Sequence, residues 1–159
     1  MATQCDAVTA LDKARKGELA FVDPPYSGVH YSRFYHVLET IAVGGCGEVS
    51  GVGRYPASSH RPRSDYSVKS LAAAAITKLF ETAAKNQVRL IVTFPDHLCS
   101  NGLSGETLRD IAKANFLVKE KLVESRFSTL GGTSSGTGLA GSRAARMKAQ
   151  ELILQLDPI

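Results

Sequence analysis

The sequence predicts an α/β domain, because short apolar runs typical of strands alternate with segments whose apolar residues recur at helical spacing. Two such runs, 18–23 and 87–94, are each followed by proline and are separated by helical segments. The last two, 116–130 and 150–156, have only a glycine- and serine-rich loop between them. We therefore expect parallel βα units that finish in an antiparallel hairpin, all within one domain spanning residues 1–159.

The bulk composition is typical of a globular chain without a membrane span. Hydrophobic residues make up 43% of the sequence and charged residues 21%, and no apolar run approaches the roughly 18 residues that a span needs. The first residues lack the basic and apolar stretches of a signal peptide, so we expect the chain in the cytoplasm. The net charge of +4 is compatible with an anionic partner.

The cysteines do not follow a metal-binding or disulfide pattern. Cys5, Cys46 and Cys99 lie far apart and form no C-x-x-C pair. The sequence therefore predicts neither a disulfide framework nor a zinc site, and we expect no bound metal.

The predicted amino-terminal elements are a helix over 6–16, a strand over 18–23 and a helix over 29–43. Asp6 is a suitable N-cap for the first helix, which basic residues and Gly17 should end. In the second helix four apolar residues recur at helical spacing, and we expect the first three to face the core. These four residues are Phe34, Val37, Leu38 and Ile41.

The remaining predicted elements are an irregular basic loop over 44–65, a helix over 67–85, a strand over 87–94, a helix over 104–115 and the closing hairpin. After the strand at 87–94, Asp96 and His97 either line a pocket or form only a turn. The hairpin loop, 131–142, lies between Arg126 and Arg143. It either lies along an anionic partner or is a plain hairpin tip.

The motif Asp23-Pro24-Pro25-Tyr26 ends the first strand, and we expect the functional site to form around it. Neither proline has an N–H to donate and both fix φ, so the strand ladder cannot continue. A carboxylate and a phenol are therefore held on a stiff turn at the carboxyl end of a strand, where open α/β sheets bind ligands. The alternative is a turn that only ends the strand.

This motif and the residues that follow it, Tyr31-Ser32-Arg33-Phe34-Tyr35-His36, resemble the S-adenosylmethionine-dependent, amino-directed DNA methyltransferases. The resemblance is strongest to the adenine-N6 class, which serves in DNA methylation and restriction-modification. Cys5-Asp6-Ala7 is similar to that family's acidic motif after its third strand, and 88–97 to its fifth strand and following turn. Segment 117–156 resembles the closing pair, in which the last strand inserts antiparallel between the fifth and sixth.

The resemblance implies a partial Rossmann-like class I methyltransferase sheet with flanking helices. It would contain strands four to seven in the order four-five-seven-six, the last of them antiparallel. The family's glycine-rich turn, which follows its first strand and cradles the cofactor, has no counterpart, because Gly44-Gly45-Cys46-Gly47 and Gly51-Val52-Gly53 follow a helix. We therefore expect the carboxyl-terminal half of such an enzyme, with little activity alone and completed by an amino-terminal half.

The resemblance also implies roles for individual residues. Asp23 and the Pro24 carbonyl would accept hydrogen bonds from the adenine N6 amino group, and Tyr26 would stack on the flipped base. The implied catalytic residues are Asp23, Pro24, Pro25 and Tyr26. The residues implied in S-adenosylmethionine binding are Asp6, Ala7 and Asp23. The residues expected to contact DNA are Tyr31, Arg33, Arg54, Arg61 and Arg63.

Several alternatives stay open from the residues alone. The same motif chemistry serves bases in RNA, and a related Asn-Pro-Pro-Tyr serves protein glutamine, although the acidic Asp23 fits adenine better. A third hypothesis is a non-catalytic, decayed or regulatory remnant that binds nucleic acid, or another protein, through its basic loops. Asp6 could cap its helix, contact the cofactor or do both. The loop 44–65 could contact phosphates or be a solvated arm.

Overall fold

The computed structural model describes residues 5–51, 55–57, 61–125, 132–133, 143–144 and 149–159. Its helices are α1 (Ala7–Asp12), α2 (Ser32–Val43), α3 (Ala72–Lys85) and α4 (Gly105–Lys113), with a 3-10 turn at Asp65–Ser67. Its strands are β1 (Leu19–Val22), β2 (Val49–Ser50), β3 (Tyr55–Pro56), β4 (Arg89–Pro95), β5 (Phe116–Ser125), β6 (Gly132–Thr133), β7 (Arg143–Ala144) and β8 (Ala149–Pro158). No helix within these ranges is long and apolar enough to cross a membrane.

Four strands form the main sheet in the order β1-β4-β8-β5. β1 runs parallel to β4, with Val22 opposite Val92. β8 lies between β4 and β5 and runs antiparallel to both. The α/β class and the closing antiparallel hairpin are therefore confirmed, and the strand order agrees with the expected order four-five-seven-six. The short pairs β2–β3 and β6–β7 lie outside this sheet.

Several element boundaries differ from the sequence prediction. α1 ends at Asp12 instead of residue 16, because it buries only Leu11 and the chain then turns so that the Gly17 N–H donates to the Gln87 carbonyl at 2.9 Å. α3 begins at Ala72, since the 3-10 turn lies at the start of the segment that we expected to be helical. Of the predicted strand 116–130, the residues after 125 lie outside the described part.

The core lies on one face of the sheet. Successive side chains of a strand point to opposite faces, so alternate residues of β4 and β8 are buried together. Helices α1, α3 and α4 cover this face, and Phe80 of α3 packs edge-on against Phe116, with 6.1 Å between ring centroids. The buried strand residues are Leu90, Val92, Phe94, Leu152, Leu154 and Leu156.

The opposite face of the sheet carries exposed apolar side chains on β1. Phe21 is 68% exposed, and Leu19 is more than half exposed. Among the described residues β1 pairs only with β4, so its outer edge presents unpaired backbone N–H and C=O groups. Folded proteins usually cover such an edge, because it readily pairs with another chain.

Helix α2 is amphipathic but buries none of its residues. The expectation that Phe34, Val37 and Leu38 face the core is wrong, since all three are more than half exposed. The helical spacing itself is confirmed over 12 residues. Within the described part of the chain nothing covers the apolar side of the helix, and an apolar surface of this kind is typical of a contact site.

We expect Leu154→Ala to lower the free energy of unfolding by roughly 2–5 kcal/mol, the usual cost of a cavity at a buried leucine. Leu154 is fully buried on the central strand β8. Urea unfolding followed by circular dichroism measures the change. Leu117→Ala is the matched control, because Leu117 on β5 is 64% exposed. Equal losses in the two variants would contradict a core on one face only.

Candidate functional site

The candidate site forms where the parallel strands β1 and β4 end side by side. Because Val22 lies opposite Val92, the next residues, Asp23 and Thr93, are neighbours. Thr93 Oγ1 donates a hydrogen bond to Asp23 Oδ1 at 3.0 Å. Asp23 is exposed whereas Pro24 is buried. The motif therefore ends β1 as predicted, and the buried Pro24 anchors the turn that presents the Asp23 carboxylate.

A buried asparagine in the loop after β4 holds this turn. Asn101 Nδ2 donates to the Pro25 carbonyl at 2.7 Å and to the Tyr66 carbonyl at 2.9 Å. Asn101 Oδ1 accepts from the Leu103 N–H at 3.3 Å. The residue is fully buried, so water cannot replace these bonds if they are lost. The amide thus ties the proline turn to the 3-10 turn.

A second contact joins the same two loops. Ser100 Oγ accepts a hydrogen bond from the Gly28 N–H at 2.9 Å. The backbones approach so closely that a Cβ at Gly28 would lie 3.1 Å from the Ser100 carbonyl oxygen. The segment between β1 and α2 is therefore fixed at both Pro25 and Gly28.

Aromatic side chains lie next to the Asp23 carboxylate. The rings of Tyr31 and Tyr35 are stacked, with 5.7 Å between centroids and 4° between planes. Burial raises the pKa of Tyr31 to about 12, with smaller contributions from the charges of Tyr26 and Asp23 and from a side-chain hydrogen bond with Tyr26. Tyr31 therefore stays protonated at neutral pH. Tyr26 and Tyr31 are both more than a third exposed, so ring surface is accessible beside a carboxylate.

A cleft of about 320 Å³ opens between this turn and the segment that leads into the 3-10 turn. Its volume lies at the lower end of the range for small-molecule sites, roughly 300–1,000 Å³. The lining combines acidic, aromatic, basic and hydroxyl groups. It includes Asp23, Pro25, His30, Tyr31, Arg63 and Ser67.

A second cleft, of about 230 Å³, adjoins the first through shared lining residues and is lined by arginines. The two clefts share His30, Ser32, Pro62 and Arg63. Arg33 and Arg61 line the second cleft only; the Arg33 guanidinium lies over the Tyr55 ring at 5.0 Å. Arg61 Nε donates to the Pro56 carbonyl at 2.8 Å. Three of the four arginines predicted to contact DNA are thus together, while Arg54 lies outside the described residues.

The described parts of the basic loop pack against α2 and the residues before it. Ser32 Oγ donates to the Pro62 carbonyl at 3.3 Å. The His36 ring packs edge-on against Tyr55 at 4.9 Å between centroids. The Ser64 N–H donates to His30 Nδ1 at 3.3 Å. These contacts favour an ordered loop over a solvated arm for residues 55–57 and 61–65.

Asp6 caps α1, as the sequence predicts. Its Oδ1 accepts from the backbone N–H groups of Val8 at 2.9 Å and Thr9 at 3.3 Å. Burial raises the pKa of Tyr66 to about 12, and the charge of Asp6 adds to this effect. Because the Tyr66 carbonyl also binds the Asn101 amide, the start of α1 lies at the same end of the sheet as the proline turn. Both Asp6 and Ala7 are exposed there.

Asp96 forms an ion pair with Arg109 and lines neither cleft. Arg109 Nη1 lies 2.7 Å from Asp96 Oδ1, and Arg109 Nε lies 2.5 Å from Glu120 Oε2. The hydrogen bond with Glu120 is the main cause that raises the pKa of Arg109, and the Asp96 carboxylate adds to it. Neither Asp96 nor His97 is among the residues that line the two clefts. Arg109 of α4 thus bridges Asp96, at the end of β4, and Glu120 of β5.

Nothing in the sequence distinguishes Asn101, Ser67 or His30 as functional residues. In the sequence Asn101 stands between a serine and a glycine and resembles an ordinary turn residue. Its importance comes from a contact with Pro25, 76 positions away along the chain. Ser67 and His30 likewise gain significance only from the cleft that the fold creates.

Within the described ranges no group of three or more histidine, cysteine, aspartate or glutamate side chains is placed to hold a metal ion. No protein-family model, no curated protein and no solved structure matches this chain. A functional proposal therefore depends on the residues and geometry of the cleft.

Asn101→Ala should lower the free energy of unfolding by roughly 1–3 kcal/mol for each carbonyl that is left buried without a donor. The carbonyls concerned are those of Pro25 and Tyr66. Urea unfolding measures the loss. Asn115→Ala is the control, because no described residue bonds to the Asn115 side chain, and it should change the value by less than roughly 0.5 kcal/mol. A similar value for both variants would contradict the role of the Asn101 amide.

Alkaline pH should destabilise the fold through Tyr31 and Tyr66. Both have a pKa of about 12 in the folded chain against an ordinary value of 10.0, so folding favours the protonated phenol. This stabilisation is complete below pH about 10 and is lost as the pH rises towards about 12. Urea unfolding at stepped pH should show a smaller alkaline loss in the double variant Tyr31→Phe, Tyr66→Phe. An unchanged pH dependence would contradict the assignment.

Proposed function

We propose that this chain is the base-binding half of an S-adenosylmethionine-dependent methyltransferase that acts on the N6 amino group of adenine in DNA. One arrangement carries the proposal: an exposed Asp23 on a proline turn, at the carboxyl end of a parallel strand, beside Tyr26 and Tyr31 and lining a cleft. The strand order β1-β4-β8-β5 supports it, because it agrees with the order that the resemblance implies.

The Asp23 carboxylate suits the activation of an exocyclic amine. The lone pair of such a nitrogen is delocalised into the ring, and acceptors for its N–H hydrogens favour a more tetrahedral, more nucleophilic nitrogen. Thr93 bonds to Oδ1 and orients the group, which leaves Oδ2 for the substrate. No described residue donates to the Pro24 carbonyl, the second acceptor in this proposal, whereas Asn101 occupies the Pro25 carbonyl.

Tyr26 is the stacking partner for the base in this proposal. An adenine inside a duplex cannot reach Asp23, so it must leave the base stack. Stacking on an aromatic side chain contributes roughly 1–3 kcal/mol per base. The accessible ring surface of Tyr26 lies next to Tyr31, whose protonated hydroxyl shares a hydrogen bond with it.

Asp6, Ala7 and Asp23 fit part of a cofactor site. All three are exposed at the same end of the sheet, and the two carboxylates are suitable acceptors for the hydroxyl and amino groups of a nucleoside. When bound, S-adenosylmethionine supplies an electrophilic methyl group. The rest of its binding surface belongs, in this proposal, to an amino-terminal half with a glycine-rich turn.

The surface around β1 is suited to such an amino-terminal half. An added strand would bond to the backbone groups on the outer edge of β1, and its connections would cover Leu19 and Phe21. The apolar side of α2 offers a further contact area. Burial of these side chains would contribute roughly 25 cal/mol for each Å² of apolar surface removed from water.

A nucleic-acid-binding protein without catalytic activity is the second candidate. The observation that favours it is the cleft lined by Arg33, Arg61 and Arg63. Arginine side chains bind phosphates regardless of the chemistry at Asp23. The two candidates differ in whether Asp23 matters for what the protein does.

Transfer of a labelled methyl group tests the proposal. The chain is assayed alone and together with a candidate amino-terminal half, on unmethylated DNA, on RNA and on protein. We expect incorporation into DNA only when both parts are present. Asp23→Ala should lower the rate by roughly a hundredfold or more, as removal of a polar group that acts in the transition state does.

Asp110→Asn is the control for this assay, because Asp110 is exposed on α4 and contacts Lys113 instead of the cleft. Robust incorporation by the chain alone would contradict the half-enzyme proposal. Incorporation only into RNA or only into protein would show that this molecule, and not DNA, is the substrate. DNA binding that survives Asp23→Ala, with no methyl transfer in any combination, would favour the second candidate.

A further inference from the structure

We infer that the two clefts, which share four lining residues, form one nucleotide-binding groove, in which the Ser67 hydroxyl contacts the base while His30 and Arg63 contact the phosphate. The identity of the base rests on the proposed function. The inference goes further, because it gives binding roles to Ser67 and His30 and fixes the direction in which a nucleotide lies.

Ser67 provides the main observation. It belongs to the 3-10 turn, lines the cleft together with Asp23 and is only 2% exposed. Its Oγ nevertheless has no hydrogen-bond partner among the described residues. A buried hydroxyl without a partner is costly and rare in folded proteins. The Oγ atom is itself buried, so a rotation about the Cα–Cβ bond of Ser67 that turns it into the cleft would let a polar atom of a ligand supply the missing hydrogen bond.

The base end of the groove contains Asp23, Tyr31 and Ser67. The carboxylate accepts hydrogen bonds, the hydroxyl both donates and accepts, and the ring offers a stacking surface. An amino-substituted heteroaromatic base has an amine donor beside a ring-nitrogen acceptor. Its edge therefore matches Asp23 and Ser67 together, whereas thymine has no exocyclic amine to donate to the carboxylate.

The phosphate end begins where the two clefts meet. His30 lines both clefts, and its Nδ1 accepts from the Ser64 N–H at 3.3 Å. The neutral ring therefore carries its proton on Nε2, which leaves that N–H as a donor for a ligand. Arg63 also lines both clefts, is exposed and pairs with no carboxylate among the described residues. Such donors are well suited to a phosphate.

The order of these groups favours a single ligand. Asp23 and Arg63 line the same cleft but form no ion pair with each other. A molecule with an amine at one end and a phosphate at the other would satisfy both charges. Arg33 and Arg61 continue the cationic lining beyond Arg63 and fit the next phosphates of a strand.

Heteronuclear NMR titration of the full chain tests the inference. The separate probes are deoxyadenosine monophosphate, deoxyadenosine, deoxythymidine monophosphate and inorganic phosphate. We expect deoxyadenosine monophosphate to bind most tightly and to shift the signals of Ser67 and His30. Ser67→Ala should weaken both adenine-containing probes by roughly threefold to tenfold, the effect of one hydrogen bond, and leave inorganic phosphate unchanged. Arg63→Gln should weaken the phosphate-containing probes and leave deoxyadenosine unchanged.

The stability of Ser67→Ala without ligand separates a binding role from a structural role. Removal of an unpaired buried polar atom should keep or raise the thermal midpoint of unfolding. Ser70→Ala and Arg15→Gln are the matched controls, since both residues are exposed and neither lines the two clefts. Unchanged nucleotide affinity in Ser67→Ala, or a lowered midpoint, would overturn the inference.

The outcome of these binding measurements does not depend on the outcome of the methyl-transfer assay. Nucleotide binding with the expected dependence on Ser67 and Arg63, but without methyl transfer in any combination, would overturn the proposed function alone. Methyl transfer at an unchanged rate and KM in both Ser67→Ala and Arg63→Gln would overturn the groove assignment alone.

Discussion

The buried amide of Asn101 is the interaction on which the candidate site depends. It binds the carbonyls of Pro25 and Tyr66 at once, and these belong to the two segments that face each other across the cleft. A turn with two consecutive prolines has few N–H groups of its own, so other residues must supply the donors that fix it. The loop after β4 supplies them, which explains why the parallel pairing of β1 and β4 matters for the site as much as for the sheet.

The strand ends and the closing antiparallel pair could be predicted from the residues, and the family resemblance implied the order of the strands, whereas the burial of α2 could not be predicted. Proline marks the ends of β1 and β4, and a glycine- and serine-rich connection without a predicted helix implies an antiparallel pair, so these features are local. Helical spacing shows which residues share a side, and Phe34, Val37 and Leu38 do share one. Spacing carries no information on whether that side is covered, because coverage depends on what lies nearby in three dimensions. The early end of α1 has a similar cause, a contact of Gly17 with Gln87.

The candidate site was predictable where its chemistry is contiguous in sequence. Asp23 and Tyr26 stand together in one motif, and the cap at Asp6 involves residues two and three positions away. Asn101 and Ser67 could not be predicted, because the first acts on a residue 76 positions away and the second is notable only for a missing partner. Both properties arise from the fold, so a sequence pattern of neighbouring residues contains no signal for them.

Under the proposed function, the uncovered side of α2 would couple the binding of the amino-terminal half to the binding of the nucleotide. A helix of 12 residues without buried side chains is marginal in water, yet α2 follows its N-cap residue Tyr31 directly and carries Arg33 and Tyr35. A surface that covers α2 stabilises only those conformations in which these side chains are in position. A ligand that binds the same side chains favours the same conformations. By linkage, the surface that covers α2 and the ligand must each strengthen the binding of the other by an equal factor.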